Sequence, residues 1–290
     1  MMFTLSPEQT DLAAVLHDFL GAGRTDLASL GMDEVSDPVD LVVVFEEIGH
    51  HSVAGPLIET LAVVPALLAG ARAWPEAEAG AGTGVGAGEP GGTWSVAFPP
   101  LVPHAPEADR YLLADGTTLH HASPTTTELQ SVDPARRLVD LSPGEVIATD
   151  APTEHAFNLG VLTASAQLLG LGRAMLEMTT EYVKTRHQFG KPIGQFQAVK
   201  HHLANVLIGL ELARPLVHGA AVTLTTRDIS AAKVATSDAA WQSARTALQV
   251  HGAIGYTAEH DLSRYLLQTR ALRTAWGSPS MHRARVLEAL

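Results

Sequence analysis

Cysteine is absent from this chain of 290 residues, which excludes disulfides, thiolate metal sites, iron–sulfur clusters and thiol catalysis. A reducing cytoplasm is compatible with that composition. The opening MMFTLSPEQTDL has no basic stretch followed by an apolar run, so no secretion signal is expected. No run of about 18 uncharged apolar residues occurs, so no membrane span is expected either. Bases are scarce early on: residues 1–150 hold 22 of the 31 acids but 5 of the 19 bases. With a net charge of −12, the chain argues against nucleic acid as its main partner. Proline is scarce later, 13 of 17 preceding residue 151, which frees the second half for long helices.

Hydrophobic residues make up 46% of the chain, enough for a sizeable core in one large domain or in two to three small ones. Residues 151–290 carry 14 bases, ten of them arginine, against 9 acids. Arginine's planar fork suits phosphates. That surplus fits an anion such as a nucleotide, and fits a plain solvated helical surface equally well.

Ser6-Pro7-Glu8-Gln9 has the form of a helix start, with Ser6 as cap and Gln9 closing a capping box. A second helix is predicted from near Asp37 through LVVVFEEIGHH, and a third over PLIETLAVVPALLAG, bent at Pro65. Residues 1–79 thus form an N-terminal helical domain. Seven of the 13 residues over 80–92 are glycine. Because ARAWPEAEA in front of them is no buried strand, they are taken as a flexible linker and not as a phosphate loop. Residues 93–150 hold short alternating segments (WSVAF, RYLLA, TLHHA, TELQSV, RRLVDL) split by Pro, Gly and Asp, the pattern of a small antiparallel sheet. Residues 151–290 show helical spacing and predict a four-helix bundle with a short last helix. Its helices cover LGVLTASAQLLGLGRAMLEMTTEYVKTR, QAVKHHLANVLIGLELARPLVHGAAVTL with Pro215 as a kink, AAKVATSDAAWQSARTALQV starting at Asp228 or Ser230, and Ala258 to Arg273. The fold class is mainly α with a small β unit.

Three histidine pairs occur, His50-His51, His120-His121 and His201-His202. Neighbouring residues point to different faces of a helix or strand, and no H-E-x-x-H is present. No metal site is expected.

Two segments resemble a known family. Arg186-His187-Gln188-Phe189-Gly190-Lys191-Pro192-Ile193, continuing Gln195-Phe196-Gln197, resembles the R-x-x-F-G-x-x-I-x-x-F-Q loop of acyl-CoA dehydrogenases. Gln249-Val250-His251-Gly252-Ala253-Ile254-Gly255-Tyr256 resembles the family's Q-x-x-G-G-x-G-[FY] turn, with Ala253 where glycine is usual. The resemblance covers about residues 155–285; before them only the order helices, small β unit, helices is kept. It implies an acyl-CoA dehydrogenase-like fold with a reduced β domain, and FAD lying across a subunit boundary. Arg186, Gln188 and Phe189 would then reach the adenine and pyrophosphate end. Gln249, Gly252, Ala253 and Gly255 would bring backbone N–H groups onto the same diphosphate.

The resemblance also exposes gaps. The family's catalytic glutamate, in Y-E-G-[TS], falls here on Trp276 of Ala275-Trp276-Gly277-Ser278; the alternative position on the first bundle helix falls on Gly160. Neither can take a proton. No T-E-P-x-x-G-S-D segment, which helps to seat the flavin ring, lies between Glu89 and Ala151. Taken together, the resemblance implies the non-base subunit of a heterotetrameric (α2β2) acyl-CoA dehydrogenase. Its expected partners are a subunit carrying the glutamate, a bulky acyl-CoA such as a steroid side-chain ester, and electron-transfer flavoprotein as acceptor, all in the cytoplasm. An inactive homo-oligomer with a binding role, and an active one using Glu259 or His282 as base, stay open.

Overall fold

The computed structural model describes residues 5–69 and 92–290; of the glycine-rich stretch, all but Gly92 lies outside them. The chain is mainly helical with a small sheet, as expected. It forms two compact units: Met1–Thr25, Pro38–Val53 and Ala164–Leu290 make the first, Asp26–Asp37 and Ala54–Thr163 the second. The division falls inside a helix and not at residue 150, where the composition changes.

In the first unit, α1 (Pro7–Gly21) starts on the predicted capping box. Gln9 N–H donates to Ser6 Oγ at 3.2 Å, and Ser6 N–H donates to Gln9 Oε1 at 3.0 Å. α2 (Pro38–His50) is buried at every position from Leu41 to His50. The long helices are α4 (Thr153–Thr185), α5 (Gln197–Thr223) and α6 (Thr226–His251), followed by α7 (Leu262–Leu272) and α8 (Pro279–Glu288). α5 continues through Pro215. α6 begins earlier than expected, because Thr225 is its cap and Asp228 is the residue whose N–H the cap accepts, at 3.2 Å. Leu224, at φ 50°, ends α5, so two residues make the whole turn and the two helices form a helical hairpin.

Small residues let these helices approach closely. A Cβ added at Gly49 would lie 2.1 Å from the Gln167 carbonyl oxygen, and one at Gly170 would lie 1.9 Å from that of Glu46. α2 and α4 therefore cross backbone against backbone. Ser243 Oγ donates to the Gly172 carbonyl at 2.8 Å, joining α6 to α4. Lys233, fully buried on α6, donates from Nζ to the Leu272 carbonyl at 2.7 Å. A cation there complements the negative end of α7. Gly170→Ala is expected to destabilise the chain by about 1–3 kcal/mol or more, because only backbone surrounds the new methyl. At Gly209 a Cβ would meet Ala239 Cβ at an ordinary 3.9 Å, so Gly209→Ala should be neutral or gain up to about 1 kcal/mol. Urea midpoints of the two variants test the contrast.

In the second unit, one π-helical turn, Glu59–Val63, leads into α3 (Val64–Ala69), where Pro65 has no N–H to give. The sheet contains β1 (Trp94–Ala97), β2 (Ala105–Pro106), β3 (Arg110–Asp115), β4 (Thr118–Leu129) and β5 (Leu138–Ala148), in the order β1-β3-β4-β5-β2. It is not purely antiparallel: β1 pairs with β3 in parallel, Val96 opposite Leu112. β2 lies on the far edge, so the chain crosses over between β1 and β3, as a parallel pair requires. TLHHA and TELQSV merge into the single strand β4, which shifts register twice near His120 and again between Pro124 and Glu128.

By length and composition, two helices could cross a bilayer, contrary to expectation: α4 and α5. α4 is mostly buried within the protein. Less than half of the apolar stretch of α5 is buried, and Leu207, Ile208, Leu212 and Leu216 are exposed along it.

Candidate functional site

The segment after α4 is a tight β-hairpin where a loop was expected. β6 (His187–Gln188) pairs with β7 (Lys191–Pro192), Gln188 opposite Lys191, leaving Phe189 and Gly190 as the two turn residues. Both have positive φ, 53° and 80°, the signature of a type I′ turn that matches the strand twist. Glycine takes that shape freely; for phenylalanine it is uncommon. Phe189 is held 90% exposed, its ring edge-on to Phe196 at 6.1 Å. Lys191 Nζ lies 4.4 Å from the Phe196 ring centre. Ile193 N–H donates to the Arg186 carbonyl at 2.8 Å, closing the hairpin base. Arg186 and Gln188 have exposed side chains, and Arg186 makes no ion pair among the described residues.

The second motif ends α6. Gly252 caps the helix at φ 63°, ψ −137°, and no atom lies within 4 Å of where its Cβ would be. A single 3₁₀ stretch, Gly252–Tyr256, follows. Gln249, Ala253 and Ile254 are exposed, and Tyr256 is 77% exposed. Gly255 differs from the reading given to it: it is buried, with a built Cβ 3.1 Å from His251 Cβ and 3.3 Å from Leu248 Cδ1. Packing accounts for that glycine.

One contact that the sequence did not reveal ties the two motifs together. His251 stacks on Tyr182 of α4, ring centres 4.3 Å apart at 22°, and donates from Nδ1 to the Ala247 carbonyl at 2.8 Å. Burial pulls its pKa down, with His260 adding to the effect and the Ala247 bond opposing it. The uncharged ring thus fixes the end of α6 against the last turn of α4, and so sets both motifs on one frame. Exposed Arg186 and Gln188 carry side-chain donors that suit an anion; the Gly252 turn leaves open space where a side chain would sit, while the Gly252 N–H itself donates to the Leu248 carbonyl.

Trp276 is fully buried and sits at φ 58°, with Gly277 at 97°. Its carbonyl accepts from His282 Nε2 at 2.8 Å, and His282 Nδ1 accepts from Ser230 Oγ at 3.2 Å. Ser278 then caps α8. His282, fully buried with both ring nitrogens engaged, offers no lone pair to a substrate. Burial is the main cause that brings its pKa down to about 4, with Lys233 and Arg285 adding and the Trp276 bond opposing. Below the ordinary value of 6.5, the unfolded chain therefore binds a proton that the folded chain refuses. Stability should fall by up to about 1.4 kcal/mol per pH unit for this residue between pH 6.5 and 4, and hold steady above. Denaturation of His282→Gln across that range should show a shallower decline. Glu259 is exposed, and Gly160 is buried within α4.

The Acyl-CoA dehydrogenase, C-terminal domain model matches residues 152–290. The chain is also 31% identical to Acyl-CoA dehydrogenase IpdE2 of Mycolicibacterium smegmatis, over 99% of this chain and 87% of that protein. This chain belongs to the acyl-CoA dehydrogenase family. Solved structures share its fold. The Tcur3481-Tcur3483 steroid ACAD G363A variant aligns at TM-score 0.75 and 21% identity, covering 98% of both chains. The ChsE4-ChsE5 complex from Mycobacterium tuberculosis aligns at 0.72 and 20%, covering 99% of this chain and 98% of that one. Solved neighbours of this fold bind FAD. As a member of this family, the chain exposes most of both segments that resemble the family's motifs, with the Phe189 and Tyr256 rings facing outward.

Proposed function

We propose that this chain is the subunit of a heteromeric, FAD-dependent acyl-CoA dehydrogenase that completes the adenine–pyrophosphate end of the flavin site and lacks a base of its own. The observation that carries this is the exposed set Arg186, Gln188 and Phe189 on the segment after α4, tied through the Tyr182–His251 stack to the Gly252 turn. FAD, when bound, supplies the two-electron acceptor for α,β-desaturation of an acyl-CoA. This chain's part is to hold the diphosphate through the Arg186 fork, to hydrogen-bond through Gln188 and Gln249, and to let the diphosphate approach the Ala253 N–H across the space that Gly252 leaves without a side chain. The α-proton goes to a partner of the same family that carries the glutamate, because Trp276 and Gly160 stand at this chain's base positions.

Assembly as α2β2 is supported by the exposed apolar stripe of α5, since unpaired patches of that kind mark contact surfaces. Relatives named as a ChsE4-ChsE5 complex and as a Tcur3481-Tcur3483 steroid ACAD also support it. The steroid named with the Tcur3481-Tcur3483 relative supports a steroid-derived acyl-CoA, such as a side-chain ester, as substrate. Electron-transfer flavoprotein is the proposed acceptor and the cytoplasm the proposed location. Expressed alone, the chain should be colourless or faintly yellow. Co-expressed with a glutamate-bearing partner, it should copurify as a yellow complex that oxidises acyl-CoA. No gain on co-expression would favour an inactive homo-oligomer, and a yellow, active single chain would place a base in this subunit.

A further inference from the structure

Away from both motifs, α1 and α2 bring three histidines together. His17, His50 and His51 form a triangle with ring centres 5.1, 4.7 and 5.1 Å apart. One nitrogen from each ring lies within 4.8 Å of the other two. His51 Nε2 is 3.2 Å from His17 Nδ1. Imidazoles sharing a tetrahedral ion at about 2.0–2.1 Å have their nitrogens roughly 3.3–3.4 Å apart, so small side-chain rotations suffice to close the set. Glu47 adds an anionic oxygen: its Oε2 is 2.9 Å from His17 Nδ1 and 3.8 Å from His51 Nε2. Among the described residues, His50 Nδ1 is buried with no hydrogen-bond partner, while Glu177 lies 3.4 Å from its Nε2.

We propose that His17, His50 and His51, with Glu47, form a Zn²⁺-class divalent-cation site that clamps α1 to α2. Imidazole with carboxylate is a donor set that suits this class. Ligand histidines must be neutral, and burial, aided by Arg173 and by its two neighbours, brings His50 to about 4. His51 is lowered as well, by burial first and by His17 and Arg264 after it. The charged groups around the trio offset each other: Glu47 and Glu177 face Arg173 and Arg264, and Arg173 is itself paired to Glu46. Adjacent His50 and His51 looked unable to share an ion. The structure changes this because α2 stops at His50, and the third ring comes from another helix.

The test uses the untagged full chain, freed of metal by a chelator and titrated calorimetrically with Zn²⁺ alone. One equivalent is expected to bind and to raise Tm. His17→Ala should weaken Zn²⁺ binding by more than the roughly 10–100-fold that outer-shell losses cause, with Tm of the metal-free variant recorded alongside because the side chain also bonds Glu47. His17→Ala/His51→Ala should abolish it. His201→Ala/His202→Ala, at exposed positions on α5, should bind as the parent does. Bound Co²⁺ should show the visible absorption of a tetrahedral site in the parent and lose it in His17→Ala. No Zn²⁺ binding, or binding indifferent to His17→Ala, overturns the site. Neither result bears on flavin content, so the proposed function stands or falls separately.

Discussion

Trp276→Glu is expected to break the fold, and not to restore a dehydrogenase. Among the described residues the indole is the largest fully buried side chain, and removing such a residue leaves a cavity that costs about 3–5 kcal/mol. A carboxylate in its place adds the desolvation of an unpaired charge, several kcal/mol more. Against a total stability of roughly 5–15 kcal/mol for a typical protein, little or none would remain. The backbone adds to the loss: φ at Trp276 is 58°, and its carbonyl is the acceptor that holds His282. Urea denaturation and circular dichroism of Trp276→Glu and Trp276→Ala check this. A well-folded Trp276→Glu chain would overturn the core role of Trp276. In the assembled enzyme of native chains, titration with a tight substrate analogue should count one active site per pair of unlike chains, and two sites per pair would place a base in this subunit.

Arg186→Ala gives the second large effect, and it should appear in flavin content with little change in fold. The side chain is exposed, so stability should stay within about 0.5 kcal/mol of the parent. A charge-assisted contact to a diphosphate is worth about 1.5–3 kcal/mol. Affinity for FAD in the complex should therefore drop by roughly 10–100-fold. Arg186→Lys keeps the charge but not the fork and should recover part of the loss. Absorbance of the purified complex and flavin release on dilution measure it; unchanged affinity in Arg186→Ala would remove Arg186 from the site.

The helices and their ends were legible because their signals are local. The Ser6 capping box, the glycine at the end of α6 and the long runs of small and apolar residues in α4 and α5 all act within a turn or two of the chain. The two motifs were legible for the same reason, each being a short segment. The start of α6 was misplaced by a few residues because Thr225, Asp228 and Ser230 can all cap. In the β unit, the segments were visible but their pairing was not: the parallel match of β1 to β3 depends on where β2 goes, and no short pattern encodes that.

What the sequence alone determined is a helical, cysteine-free chain with an arginine-rich second half and two segments that resemble motifs of the acyl-CoA dehydrogenase family. Only the tertiary structure decided that Gly255 packs inward while Gly252 stays open, and that Trp276 belongs to the core. It also brought Tyr182 onto His251, and His17 onto the end of α2. Each of these depends on partners from separate helices or turns. Periodicity and capping are written into neighbouring residues. Side-chain meetings across separate helices are set by close packing, which fixes position only once the backbones of α2 and α4 have come together at Gly49 and Gly170.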